Sequence, residues 1–332
     1  KLQINMGADM KTLRWGILGA AKFALEHMGP AIHAARGAQL VALATSSAGK
    51  ADPFKAFAPG LHVHDSYDAL LADPDIDAVY IPLPNHMHVE WTLKALEAGK
   101  HVLCEKPMAL NAAEFDRLIA ARDASGMLAA EAFMIVHHPQ MIRAREIIAS
   151  GTLGRVRHVG ATFSFYNDDT TNIRNQAEAG GGGLPDIGVY TFGSVRFLTG
   201  QEPVSIPYAK IDFANGVDTF AQIAAEFQGF DYSATVSIRM FPRQEIVVHG
   251  EKGVLRLSCP FNAGVHAQAE LHLETVQNAI TTERFPGANQ YVLQVEAFGR
   301  SVTEGTAYPC PLEFSRGTQT MIDMAYAAGK GA

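Results

Sequence analysis

Between residues 13 and 130 the chain alternates short apolar runs with longer segments in which apolar side chains recur every three to four positions. The short runs read as strands and the longer ones as amphipathic helices. Strands are predicted over 13–18, 40–44, 78–81, 101–104 and 127–130, and helices over 21–35, 50–57, 67–71, 90–98 and 112–124. Gly99 follows one helix as a C-cap, and Asn111 precedes another as an N-cap. Strand–helix alternation of this kind implies an α/β fold with a parallel, doubly wound sheet and right-handed crossovers.

Beyond about residue 150 the texture changes. The runs 156–165, 221–227, 233–238, 245–248 and 253–257 are rich in sheet formers and punctuated by Gly, Asn and Pro. Few helices interrupt them, so this half is expected to be α+β with a large, mostly antiparallel, open-faced sheet. Residues 290–302 and 317–328 look helical again, the last segment docking back on the first half. The expected organisation is a leader over 1–12, a dinucleotide-binding Rossmann domain over 13–133, and a substrate-binding and oligomerisation domain over 134–332.

Composition narrows the class. At 332 residues, 48% hydrophobic and 18% charged, this is an ordinary globular chain with room for two domains. A net charge of −7 with no basic stripe argues against nucleic acid as a partner. No apolar run approaches a membrane span, and residues 1–11 lack the apolar centre of a signal peptide. Cys104, Cys259 and Cys310 are odd in number and far apart, which fits a reducing compartment without disulfides or a metal site. A cytoplasmic enzyme is the expectation.

The chemistry starts where the strand at 101–104 ends in Glu105-Lys106-Pro107. A lysine at the carboxyl end of a buried strand lies in the crevice where open α/β sheets bind ligands. Proline holds Lys106 on a bend, and the Lys106–Pro107 bond is predicted to be cis. The first strand runs into Gly19-Ala20-Ala21-Lys22-Phe23-Ala24. Gly19, Ala21 and Ala24 fill the three small positions of a dinucleotide turn, with the pyrophosphate on the following helix N-terminus. The second strand ends in Thr45-Ser46-Ser47 with Lys50 one turn on and no acid before Asp52. Hydroxyls and an ammonium suit the 2′-phosphate of NADP, with NAD, or a plain serine-rich turn, as the alternatives. The strand at 78–81 leads into Pro82-Leu83-Pro84-Asn85, whose prolines set the backbone over the crevice and whose Asn85 faces the nicotinamide side.

Taken together, residues 16–24, Pro84-Asn85-x-x-His88, Glu105-Lys106-Pro107, Glu131-Ala132-Phe133-Met134, Asn172-Ile173-Arg174 and the run from Gly181 to Tyr190 resemble the glucose–fructose oxidoreductase/inositol dehydrogenase (Gfo/Idh/MocA) family. The branch resembled holds NADP-linked D-xylose dehydrogenases and dimeric dihydrodiol dehydrogenases. That resemblance implies hydride transfer between nicotinamide C4 and a carbinol carbon of a sugar or polyol, as in an aldose 1-dehydrogenase. A trans-dihydrodiol dehydrogenase or keto-sugar reductase is the alternative within the fold. A dinucleotide-sensing regulator and an NAD-dependent glycosidase are the alternatives outside it.

The resemblance also implies cofactor contacts from Gly19, Ala20, Ala21, Lys22, Phe23, Thr45, Ser46, Ser47, Lys50, Pro82, Leu83, Asn85, His88, Glu105 and Lys106. Substrate contacts fall to Lys106, Phe165, Asn172, Arg174, Asp186 and Tyr190, with His138 on the same wall. Tyr190 is expected to carry the hydroxyl proton, Lys106 to lower its pKa, and Asp186 to orient Lys106. A homodimer or dimer of dimers is expected through the second sheet. One departure stands out: the NADP-preferring branch usually shows Ser-Arg where this chain has Ser46-Ser47, so a bidentate phosphate partner is missing.

Overall fold

The computed structural model describes residues 12–275 and 279–329; apart from Thr12, the expected leader lies outside the described residues. Strands β1 (Leu13–Leu18), β2 (Ala38–Ala44), β3 (His62–His64), β4 (Ala78–Ile81), β5 (His101–Cys104) and β6 (Ala129–Glu131) form one sheet in the order β3-β2-β1-β4-β5-β6. All of its pairings are parallel. β3 escapes a pattern reading because three residues are too few to show a period. The strand order reverses beside β1, which opens a ligand crevice beyond the carboxyl ends of β1 and β4.

The helix after β1 begins at Lys22, widens to a π-helix over Ala24–Met28 and continues as α-helix over Gly29–Ala34. Pro30 accounts for the widening: it has no N–H to donate, and its ring would crowd the carbonyl four residues back.

The second sheet contains β7 (Val156–Tyr166), β8 (Pro203–Ala214), β9 (Val217–Phe227), β10 (Phe230–Ser237), β11 (Arg239–Gly250), β12 (Gly253–Leu257), β13 (Glu270–Thr275) and β14 (Ile280–Arg284). Their order is β14-β13-β12-β11-β7-β10-β9-β8, antiparallel throughout except for the parallel β7–β10 pair. Val159, Ala161 and Phe163 of β7 and Ile246 and Val248 of β11 are buried on the inner face. Helix Val189–Thr199 packs on that face and helix Pro139–Ala149 packs on the helix. Helix Val189–Thr199 is buried from Val189 to Leu198, so it has no polar stripe to betray its period.

The outer face carries His158, Thr162 and Ser233 along with the Arg243–Glu245–Arg256 and Glu270–Arg284 ion pairs. Helix Gln290–Glu304 returns to the first sheet, where the Phe298 ring lies 5.0 Å from that of Trp15. The last helix, Leu312–Gly329, starts five residues before the apolar pattern announced it. It bridges the halves: Asp323 accepts from the Ala112 N–H at 2.8 Å, and the Tyr326 hydroxyl donates to Asp218 of β9 at 2.6 Å. Among the described residues no helix is long and apolar enough to cross a membrane, no group of side chains forms a metal site, and the three cysteines are free and buried.

Candidate active site

A cavity of about 350 Å³ lies where the loops after β1, β4 and β5 meet the inner face of the second sheet. β5 delivers Glu105 and Lys106 to it, and the Lys106–Pro107 bond is cis. The Lys106 Nζ donates to the Asp186 carboxylate Oδ1 and to the Asp186 carbonyl, each at 2.8 Å. Arg174 Nε donates to the other carboxylate oxygen at 2.5 Å. The side chains of Lys106 and Asp186 are each only 11% exposed. Burial opposes ionisation of Asp186, but Arg174 and Lys106 together outweigh it and hold the carboxyl well below the usual carboxylate range. Two cations therefore share one anion on the cavity wall.

The glycine run puts Asp186 there. Asp186 sits in a π-helical turn, Leu184–Gly188, whose first N–H, that of Leu184, is held by the buried Asp218 carboxylate at 2.7 Å. Gly182 has φ +130°, and a Cβ there would collide with that carboxylate. Only glycine fits both the backbone and the space.

Tyr190 lines the same cavity from the first turn of helix Val189–Thr199. Its ring stacks on Phe133 at 5.7 Å, and the Lys106 Nζ lies 5.0 Å from the ring centroid. The hydroxyl donates to Met134 Sδ at 3.5 Å. Burial, reinforced by Glu105, pushes the phenol well above its ordinary pKa. The expected lowering by Lys106 is not found: burial sets the direction, and the hydroxyl's hydrogen bond goes to Met134.

The opposite wall is built from Ala21, Lys22 and Phe23 after β1 and from Pro82, Leu83, Asn85 and His88 after β4. Gly19 has φ +101°, and a Cβ on it would meet Leu83 Cδ2 at 3.0 Å. The bare backbone of this turn and the first N–H groups of the following helix, which have no intrahelical acceptor, form a cradle that fits a pyrophosphate. Ser46, Ser47 and Lys50 are exposed beyond β2, whereas Thr45 turns inward and its Oγ1 accepts from the Ser47 N–H at 3.2 Å. Thr45 thus shapes the turn and leaves the two serines and the lysine as exposed donors at the end of β2.

Three neighbours hold the cradle to the lysine. Asn85 Nδ2 donates to the Gly180 carbonyl at 2.9 Å, so its amide ties the first half to the glycine run. The fully buried His88 ring lies between the Leu83 carbonyl at 2.7 Å and the Pro107 carbonyl at 2.8 Å. Burial lowers its pKa to about 4 against the pull of those carbonyls, and the neutral ring donates to one of them. Glu105 accepts from the Tyr80 hydroxyl at 2.6 Å, and burial raises its pKa against Lys106 and Tyr80.

Most of the anticipated wall is therefore present, including Phe165 and Arg174, whose guanidinium lies 5.8 Å from the Phe165 ring centroid. Ala20 does not line the cavity. Two expected substrate residues are also elsewhere. Asn172 spends its side chain accepting from the Arg174 N–H at 3.1 Å as a helix cap. His138 is buried, accepts from the Gln140 N–H at 3.1 Å, and borders a separate groove beside Phe285. Phe163, Ile187, Asn262 and Tyr291 reach the cavity unannounced. Tyr291 had a local signal, since Asn289 caps the predicted helix and Tyr291 lies in its first turn. Asn262 had none.

Comparison with known proteins agrees with this architecture. Residues 13–133 match the oxidoreductase family described as having an NAD-binding Rossmann fold, and residues 141–256 match the Gfo/Idh/MocA C-terminal domain. An uncharacterized oxidoreductase of Rhizobium meliloti is 37% identical over 95% of this chain and 96% of its own. A D-xylose 1-dehydrogenase (NADP(+)) of Haloferax volcanii is 33% identical over 96% of this chain and 98% of its own. A 3-ketoreductase of Actinomadura kijaniata, crystallised with NADP and TDP-benzene, superposes with a TM-score of 0.87 at 29% identity, covering 96% of this chain and 98% of that one. With both halves matched and the lysine, aspartate and dinucleotide turn in one cleft, this chain belongs to the Gfo/Idh/MocA family of oxidoreductases.

Proposed function

We propose that the protein is an NADP-linked oxidoreductase of sugars that interconverts a carbonyl and a carbinol at one ring carbon, with reduction of a keto-sugar as its favoured direction. The observation that carries this is the Lys106 ammonium, ion-paired to Asp186 on the wall of a cleft shared by both halves. When bound, the reduced nicotinamide supplies a hydride at C4. Lys106 holds a proton at the substrate oxygen and gives it up as that oxygen gains charge, then regains one from water. Asp186, kept ionised by its two cations, fixes the direction of the Lys106 N–H bonds. Tyr190 serves as a neutral phenol that shapes the pocket beside Lys106, and Phe165 and Ile187 exclude water from it. NADP is supported by Ser46, Ser47 and Lys50 at the end of β2 and by the NADP of the Haloferax volcanii and Actinomadura kijaniata relatives.

Aldose 1-dehydrogenation is the second reading, favoured by the D-xylose relative; the same groups then run in reverse. The test is nicotinamide absorbance with 3-keto-sugars and NADPH, and with aldoses and trans-dihydrodiols and NADP. Turnover of keto-sugars at a higher kcat/KM than the reverse oxidation supports the proposal. Release of free sugar from a glycoside without net change in cofactor would replace it with glycoside hydrolysis.

Self-association through the outer face of the second sheet is also proposed. That face carries the Arg243–Glu245–Arg256 and Glu270–Arg284 ion pairs, whose charges a second copy would meet, so the dimer is expected to weaken in high salt when sized by light scattering.

A further inference from the structure

The loop after β12 carries more fixed hydrogen bonds than its length requires. The Cys259 carbonyl accepts from Gln140 Nε2 at 2.9 Å, the Phe261 carbonyl accepts from Gln290 Nε2 at 2.9 Å, and the Asn262 N–H donates to Gln244 Oε1 at 2.9 Å. All three glutamines are buried, and they come from two different helices and a strand. The Asn262 carbonyl accepts from the N–H groups of Val265 at 3.1 Å and His266 at 2.9 Å. Cys259 and Phe261 are fully buried, with the Phe261 ring stacked on Phe163 at 4.9 Å. Both backbone groups of Asn262 are thus committed, yet the residue lines the cavity and its carboxamide, among the described residues, makes no hydrogen bond to protein. The other polar groups of that wall are differently placed: Lys106 and Arg174 are tied to Asp186, and the Tyr190 hydroxyl to Met134.

We infer that Asn262 is a specificity-determining residue, whose carboxamide binds two neighbouring hydroxyls of the sugar and sets which ring positions must be oxygenated. An amide offers a donor and an acceptor side by side. A vicinal diol can accept from the nitrogen with one hydroxyl and donate to the oxygen with the next. A pinned backbone makes that selective, because the amide cannot follow a substrate that lacks one partner and is left unpaired. This deepens the proposed sugar oxidoreductase activity and rests on it.

The experiment uses the best sugar substrate of the panel above and its mono-deoxy analogues, each lacking one ring hydroxyl, with kcat/KM measured for wild type, Asn262→Leu and Asn262→Asp. Wild type is expected to reject two adjacent-position analogues by about tenfold or more. Asn262→Leu should lose about the same factor on the parent sugar while its activity on those two analogues, its KM for NADP and its Tm stay unchanged, so that discrimination collapses at those positions alone. Asn262→Asp, which keeps only acceptors, should retain discrimination at one of the two. Parent activity within twofold of wild type in Asn262→Leu, or an equal loss on the parent and every analogue, would overturn the inference and leave the oxidoreductase reading standing. Wild-type protein inactive on every sugar would overturn both.

Discussion

Replacing Asp186 by asparagine tests the centre of the site. Its carboxylate lies 2.8 Å from the Lys106 ammonium and 2.5 Å from Arg174 Nε. At an effective dielectric of about 20, each contact is worth about 6 kcal/mol before desolvation. Most of that is cancelled by the cost of burying the charges, and Arg174, with a side chain 38% exposed, is partly screened by water. Removing the shared anion leaves two cations facing a neutral amide, a loss of about 3–4 kcal/mol in stability. At about 0.7 kcal/mol per degree for a chain of this length, Tm should fall by about 4–6 °C.

The pH dependence follows from the depressed carboxyl. Its unfolded value is about 4 and its folded value lies below that, so its contribution is complete above about pH 5 and shrinks as pH falls through the folded value. The Tm gap between wild type and Asp186→Asn is therefore wide at pH 7 and narrows from about pH 5 to pH 3. With Lys106 no longer aimed, kcat should drop about a hundredfold at unchanged NADP affinity, equivalent to about 2.7 kcal/mol of barrier. Scanning calorimetry across pH 3–7 and steady-state kinetics provide the check. An equal Tm at pH 7, or a gap that does not change with pH, would refute the two-cation account.

Lys106→Ala should lose about 10²–10⁴-fold in kcat while Tyr190→Phe stays within about tenfold, because the Tyr190 hydroxyl points at Met134; the reverse ranking would restore the phenol as proton carrier. Gly182→Ala meets the Asp218 carboxylate at φ +130° and should cost about 2–4 kcal/mol in urea unfolding, with kcat falling alongside as Asp186 shifts. Burial holds His137 at about 3 and His138 at about 4, against about 6.5 when unfolded. The unfolded chain therefore takes up protons first on acidification, and each ring should remove about 2 kcal/mol between pH 7 and pH 5, a loss that His137→Phe reduces by one such share. Ser46→Asp sets a carboxylate beside the 2′-phosphate position and should raise KM for NADP about tenfold with little change for NAD, read in a two-cofactor titration.

Some of this protein was written locally in its sequence. The strands at 13–18 and 78–81 have the predicted bounds, since a buried parallel strand is a short apolar run bounded by breakers and needs only its own residues to declare itself. The Glu105-Lys106-Pro107 bend and the turn at Gly19 were legible for the same reason: proline and glycine constrain their own backbone. Tertiary structure alone decided where side chains end up. Thr45 and Asn172 carry suitable groups, but nearby N–H donors claim them, while Asn262 enters the cavity because glutamines at 140, 244 and 290 hold its loop there. The strand order of the second sheet and the fully buried helix Val189–Thr199 were equally hidden. Pairing partners and all-round burial depend on contacts between residues far apart in sequence, and a local period carries no record of them.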